Sequence, residues 1–180
     1  MTEALKSLQA LLPNHDLDAY LVAAPETLSS VNLRYLTGFT GSSAYLVIGR
    51  EQAWLLTDFR YVEQAAAECS GLEVVQHQRQ VSLTLKELVV RHQLWRLGFE
   101  GDRVPVDTLH AWQRIVPAVW TSVPGLIDHL RLKKRPDEIA KIREAARIAG
   151  QAVTEVLPAL RAAANIRSQL LGQGAPDRIN

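Results

Sequence analysis

Apolar residues along this chain fall into two rhythms, short unbroken runs and steps of three or four. Leu5, Leu8 and Leu12 share one helical face and predict a helix over residues 3–12, with Thr2 as its cap. The run LDAYLVA (17–23) reads as a buried strand. AYLVI (44–48) and AWLLT (53–57), separated by Gly49-Arg50-Glu51-Gln52, read as a β-hairpin. Residues 61–69 are helical in pattern and are stopped by Gly71. A strand is predicted over 72–76. A helix is predicted over 83–93, with Ser82 or Thr84 as cap and Thr84 with Glu87 as a capping box. A strand over 96–100, a helix over 106–116 that places Leu109, Trp112 and Val116 on one side, and a strand over 118–122 complete the alternation. The hairpin forces one antiparallel pair. The expectation is therefore an α/β fold with a mixed β-sheet of about six strands flanked by helices.

The texture changes from about residue 126. Residues 131–160 read as a connecting stretch and one long helix. Pro136 suits a first helical turn, and Asp137 and Glu138 suit the positive end of the helix dipole. Ile139, Ile142, Ala146, Ala149, Val153, Val156 and Leu160 form a continuous apolar stripe, which needs a partner surface. Pro158 is expected to kink or end the helix. Gly172, Gly174 and Pro176 make 161–180 read as a loose tail. The expected organisation is a domain over 1–130, a linker and helix over 131–160, and the tail.

Composition narrows the function classes. With 180 residues, a net charge of +1 and 22% charged residues, the chain has no basic footprint for nucleic acid. Its one cysteine, Cys69, allows no internal disulfide. The start of the chain lacks a secretory signal pattern, and no apolar run is long enough to span a membrane. A cytoplasmic location is the expectation.

The segment GFTGSS (38–43) is the first candidate for chemistry. A phosphate-binding P-loop needs a lysine where Ser42 stands. A nucleophile elbow needs glycine where Tyr45 stands. A dinucleotide fingerprint needs glycine where Thr40 stands. What remains is a bend in which Gly38 and Gly41 supply unusual backbone angles. The five histidines are scattered, and none has metal-ligand spacing. Asp107 and His110 could share a helix face, but one such pair holds no metal by itself. In TDFRY (57–61) Asp58 is placed to cap the following helix. Arg60 and Tyr61 lie at a strand end, where ligands often meet α/β sheets.

Taken together, NLRYLTGFTGSSAYLVI, WLLTDFRYVEQAA and RLKKRPDEIAKIREAARIA resemble, in that order, the N-terminal domain of the creatinase, prolidase and aminopeptidase P family and the start of the helix that follows it. The resemblance covers roughly residues 5–160. It departs at Phe59, where glycine is common, at Arg135, where serine is usual, and after Leu160. It implies a creatinase N-terminal, ribonuclease H-like fold. It also implies a parent Xaa-Pro peptidase that cleaves bonds next to proline with two divalent metal ions (manganese, cobalt or zinc). The two aspartates, histidine and two glutamates that hold those ions are expected in a catalytic domain beyond this sequence. This chain is expected to bind no metal, to be inactive alone, to form a homodimer and to pair with that catalytic domain. Arg60, Tyr61 and Phe39 match motif positions that could face a proline-containing peptide. The alternative is a stand-alone protein-interaction module with the same fold.

Overall fold

The computed structural model describes residues 1–28, 31–77 and 79–172, the side chains of 164–172 excepted. The elements are α1 (Glu3–Leu11), a 3-10 turn (Leu12–His15), β1 (Ala19–Ala24), α2 (Val31–Thr37), β2 (Ala44–Gly49), β3 (Ala53–Thr57), α3 (Val62–Glu68), β4 (Glu73–Gln76), α4 (Val81–His92), β5 (Arg96–Phe99), α5 (Val106–Gln113), β6 (Val119–Ser122), α6 (Leu126–Leu132) and α7 (Pro136–Gly172). They divide into two compact units, Met1–Leu132 and Lys133–Asn180.

The first unit is built on a six-stranded sheet of order β4-β3-β2-β1-β5-β6. Strand β2 is antiparallel to both β1 and β3, whereas β1–β5, β5–β6 and β3–β4 are parallel pairs. Five strands therefore end at one edge of the sheet, where β2 begins.

The central strand β1 is buried at all six positions. A strand covered on both faces needs an apolar residue everywhere, not at alternate positions. Tyr20, Val22 and Ala24 join the core under α1, α2, α3 and α6. Ala19, Leu21 and Ala23 face the core under α4 and α5. The edge strands β4 and β6 have no fully buried residue, as expected where neighbours cover less.

The mixed α/β architecture, the hairpin and the long helix match the sequence expectation. Several local expectations do not. Two short helices, α2 and α6, lie where none was predicted. Each has only seven residues, too few for the apolar period to stand out. At α4 the expected caps are wrong. Gln80 is the N-cap without a side-chain bond, and Ser82 lies buried inside the first turn. Thr2 does cap α1, its hydroxyl accepting the Leu5 N–H at 3.2 Å.

The second unit also differs. Helix α7 runs through Pro158 to Gly172, so residues 161–172 are helical and not loose. Pro158 removes one backbone donor. The alanine- and leucine-rich sequence around it favours helix strongly enough to continue past that loss. The rest of the expected loose tail, 173–180, lies outside the described residues. Along α7 the apolar stripe is exposed, with Ile142 at 53%, Val153 at 65% and Leu160 at 60%.

Candidate functional site

The two motifs GFTGSS and TDFRY converge on the edge where the parallel strands end. Helix α2 closes at Gly38, whose N–H donates to the Arg34 carbonyl at 2.8 Å. Its φ of +82° is a left-handed conformation that glycine adopts without cost. The turn sends Phe39 into the core, where it is wholly buried. Gly41 then passes against that ring. A Cβ at position 41 would lie 2.3 Å from Phe39 Cζ and 3.0 Å from Tyr61 Cδ1. The two glycines thus do separate jobs: one reverses the chain, and the other lets backbone touch an aromatic edge.

The second motif locks onto the first. Tyr61 meets Phe39 edge-on at a centroid distance of 6.1 Å. Its hydroxyl shares a 2.8 Å hydrogen bond with that of Ser42. Thr57 Oγ1 donates to the Ser43 carbonyl at 2.8 Å. The Thr40 N–H and hydroxyl both donate to the Glu68 carboxylate at 2.7 Å, and Gln64 Nε2 donates to Thr40 Oγ1 at 2.8 Å. The hydrogen bonds from Thr40 and Gln64 hold the Glu68 carboxyl below its ordinary pKa. GFTGSS is therefore a structural bend clasped by α3.

Asp58 does not cap α3 as expected. Helix α3 begins at Val62 with Tyr61 as N-cap and no side-chain cap bond. Asp58 instead organises the turn before it, accepting the Arg60 N–H at 2.9 Å. The same carboxylate takes the Arg60 guanidinium in two bonds, Nε at 3.0 Å and Nη2 at 2.8 Å. Arg60 Nη1 pairs with Glu26, from the loop after β1, at 2.8 Å. All three guanidinium nitrogens are engaged, and the cation lies 5.1 Å from the Tyr61 ring centroid. The bonds from Arg60 keep Asp58 below the usual carboxylate range, and Asp58 followed by Glu26 raises Arg60.

Beside this turn a cleft of about 520 Å³ opens beyond the ends of the parallel pair β3 and β4. Asp58, Phe59, Arg60, Gln76, His77 and Arg79 line it. Phe59 stands 76% exposed. Of the sequence candidates, Arg60 reaches the cleft, Tyr61 packs behind it, and Phe39 is a core residue. The expectation that Phe39 could face a substrate is thus corrected, because α2 and the Gly38 turn bury it.

A second polar group ties the other strand ends together, and nothing in the sequence pattern pointed to it. Glu100, only 3% exposed, follows β5. It accepts from Asn32 Nδ2 of α2 at 2.5 Å and pairs with Arg103 Nε at 3.3 Å. Arg103 also pairs with Asp128 of α6 at 3.1 Å, and Arg131 Nη1 donates to Asn32 Oδ1 at 3.0 Å. Burial pushes the Glu100 carboxyl up despite these partners. The network fastens α2, β5 and α6 to one another. Among the described residues no group of three or more His, Cys, Asp or Glu side chains could hold a metal ion.

A six-stranded mixed sheet with one antiparallel strand and two interlocked motifs at its edge defines a recognisable module. The Creatinase/Prolidase N-terminal domain matches residues 5–133, and the chain belongs to that family. It is 34% identical over 154 residues to the uncharacterized peptidase YqhT of Bacillus subtilis strain 168, covering 85% of this chain and 42% of that protein. The Xaa-Pro dipeptidase of Bacillus anthracis superposes with a TM-score of 0.81 at 31% identity, over 87% of this chain and 42% of that one. The N-terminal domain of the cytoplasmic peptidase PepQ of Mycobacterium tuberculosis H37Rv matches with a TM-score of 0.64 at 30% identity, over 72% of this chain and 99% of that domain. An X-prolyl aminopeptidase of Caenorhabditis elegans, described as a cytosolic enzyme with a di-nuclear active site, matches at 25% identity and a TM-score of 0.62, over 75% of this chain and 26% of that one. The chain thus spans less than half of the full-length peptidases it matches. Among the described residues no helix is long and apolar enough to cross a membrane.

Proposed function

We propose that this chain is the N-terminal accessory domain of a cytoplasmic, metal-dependent Xaa-Pro peptidase, and that it is inactive alone. The observation that carries this reading is the extent of the match. Similarity to the Bacillus anthracis dipeptidase covers 87% of this chain but 42% of that one. The motif residues within that span support one another instead of forming a reaction centre. The bend holds Gly38, Phe39 and Gly41 in a fixed turn, and Asp58 and Glu26 occupy the Arg60 guanidinium.

In this reading the domain joins the parent's assembly as part of a homodimer, through surfaces that include the α7 stripe. It presents the strand-end edge toward a proline-containing peptide. The parent's catalytic domain supplies a pair of divalent ions, which activate water for attack on the peptide bond. The residues here orient and cover. Titration calorimetry of the purified chain with Mn²⁺ and Co²⁺ tests the division of labour. The expected trace shows no stoichiometric uptake. Two tightly bound ions per chain would place the reaction centre here and end the accessory reading.

A further inference from the structure

The strand-end cleft contains a cation that the motifs do not point to. Arg60, the motif arginine, has each guanidinium nitrogen bonded to Asp58 or Glu26, so a ligand carboxylate would have to displace one of them. Arg79, which also lines the cleft, makes no hydrogen bond or ion pair with any described residue. The sequence around it explains why. It lies just before α4, whose first turn carries no acidic residue. The cleft's own carboxylate, Asp58, is consumed by Arg60.

Phe59 adds the complementary chemistry. Its ring is 76% exposed on the same cleft. An exposed phenyl and an unpaired guanidinium on the lining of one cleft match a ligand end that is apolar and anionic at once. The C-terminal proline of a short peptide is such an end: a compact apolar ring bearing a carboxylate. Proline rings dock on aromatic surfaces with little loss of freedom, and a guanidinium takes a carboxylate in two parallel bonds. The volume of about 520 Å³ suits a dipeptide. The location fits as well, beyond the carboxyl ends of a parallel strand pair.

We propose that Arg79 and Phe59 form a binding site for the C-terminal end of a short peptide, Arg79 pairing with the carboxylate and Phe59 packing on a proline ring. Arg60 is then the positioning residue that fixes the Asp58–Tyr61 turn carrying Phe59. The proline part rests on the Xaa-Pro reading above; the carboxylate part does not.

The test uses the 180-residue chain and three probes, Gly-Pro, Gly-Pro-amide and Gly-Ala, followed by amide chemical shifts. Gly-Pro is expected to bind at about millimolar strength and to shift residues 58–60 and Gln76, His77 and Arg79. Removing the carboxylate in Gly-Pro-amide, or the cation in Arg79→Gln, weakens binding on the order of tenfold. Phe59→Ala weakens Gly-Pro several-fold and Gly-Ala little. Both side chains are exposed, so the variants fold, and thermal melts check that. Gly-Pro binding unchanged in Arg79→Gln, or absent in the wild-type chain, overturns the site. Gly-Ala bound as tightly as Gly-Pro, and lost alike in Arg79→Gln, keeps the carboxylate contact but overturns the proline contact, while the Xaa-Pro reading, carried by the extent of the match, stands or falls on metal uptake and turnover.

Discussion

Replacing Gly41 by alanine probes whether GFTGSS is a structural bend. The added Cβ would lie 2.3 Å from Phe39 Cζ, 2.7 Å from Phe39 Cε1 and 3.0 Å from Tyr61 Cδ1. Ordinary carbon contacts are about 3.5–4.0 Å, so the ring or the backbone must move by more than 1 Å. Neither moves freely. Phe39 is wholly buried, and Tyr61 is tethered through its hydroxyl to Ser42. Overpacking of this kind costs about 1–3 kcal/mol. For a unit of this size about 2 kcal/mol lowers the melting temperature by roughly 5–10 °C. Circular dichroism melts of wild type, Gly41→Ala, Phe39→Leu and the double variant measure it. Leucine lacks the ring atoms that clash, so Gly41→Ala should cost at least about 1 kcal/mol less in the Phe39→Leu background. A Gly41→Ala chain that melts within a degree of wild type, or costs that add without coupling, would refute the close approach.

Acidification should loosen the clasp between bend and helix. Asp58 and Glu68 are both held below their ordinary pKa values by hydrogen bonds, the former from Arg60 and the latter from Thr40 and Gln64. Their stabilisation is therefore present above those ordinary values, 3.8 and 4.5, and is lost as pH falls through and below them. Melts between pH 7 and pH 3 should show this decline, with a shallower slope in Glu68→Gln; an identical slope in that variant would exclude Glu68 as a contributor. For α7, light scattering should give a dimer mass for the chain and a monomer mass for Val153→Glu/Val156→Glu. Equal masses would remove the stripe from the homodimer contact.

Much of the sheet was legible because its strands are short apolar runs bounded by turns. LDAYLVA and AYLVI are unbroken because β1 and β2 are covered on both faces. The hairpin followed from the length of its connection. Helices α2 and α6 were not legible, since seven residues give an apolar face only two or three members. Pro158 looked like a terminus because proline's local cost is visible in sequence, whereas the helix propensity accumulated on both sides of it is easily underweighted.

The site was legible in part for the same kind of reason. Gly38 and Gly41 were identified as bend residues from the failure of every glycine-loop chemistry to find its required side chain. TDFRY was placed at a strand end, which is correct. Its individual roles depended on three-dimensional facts. Asp58 binds a turn one step before the helix, and Phe39 points inward because α2 delivers it there. Arg79 lies in the polar stretch QHQRQ, where nothing local distinguishes it from a solvated arginine. Only the pairing of Asp58 with Arg60, 19 residues or more upstream, leaves Arg79 without an acid. Glu100 and Asn32 were missed because their contact spans 68 positions.

On the reading proposed above, this polypeptide shapes a peptidase site without performing the hydrolysis. The decisive assay is turnover of a Gly-Pro-containing peptide by the purified 180-residue chain, with Mn²⁺ or Co²⁺ added and release of the cleaved residue followed by mass spectrometry. No product above the peptide-and-metal blank is the predicted result. Product formed in proportion to the amount of chain would contradict it.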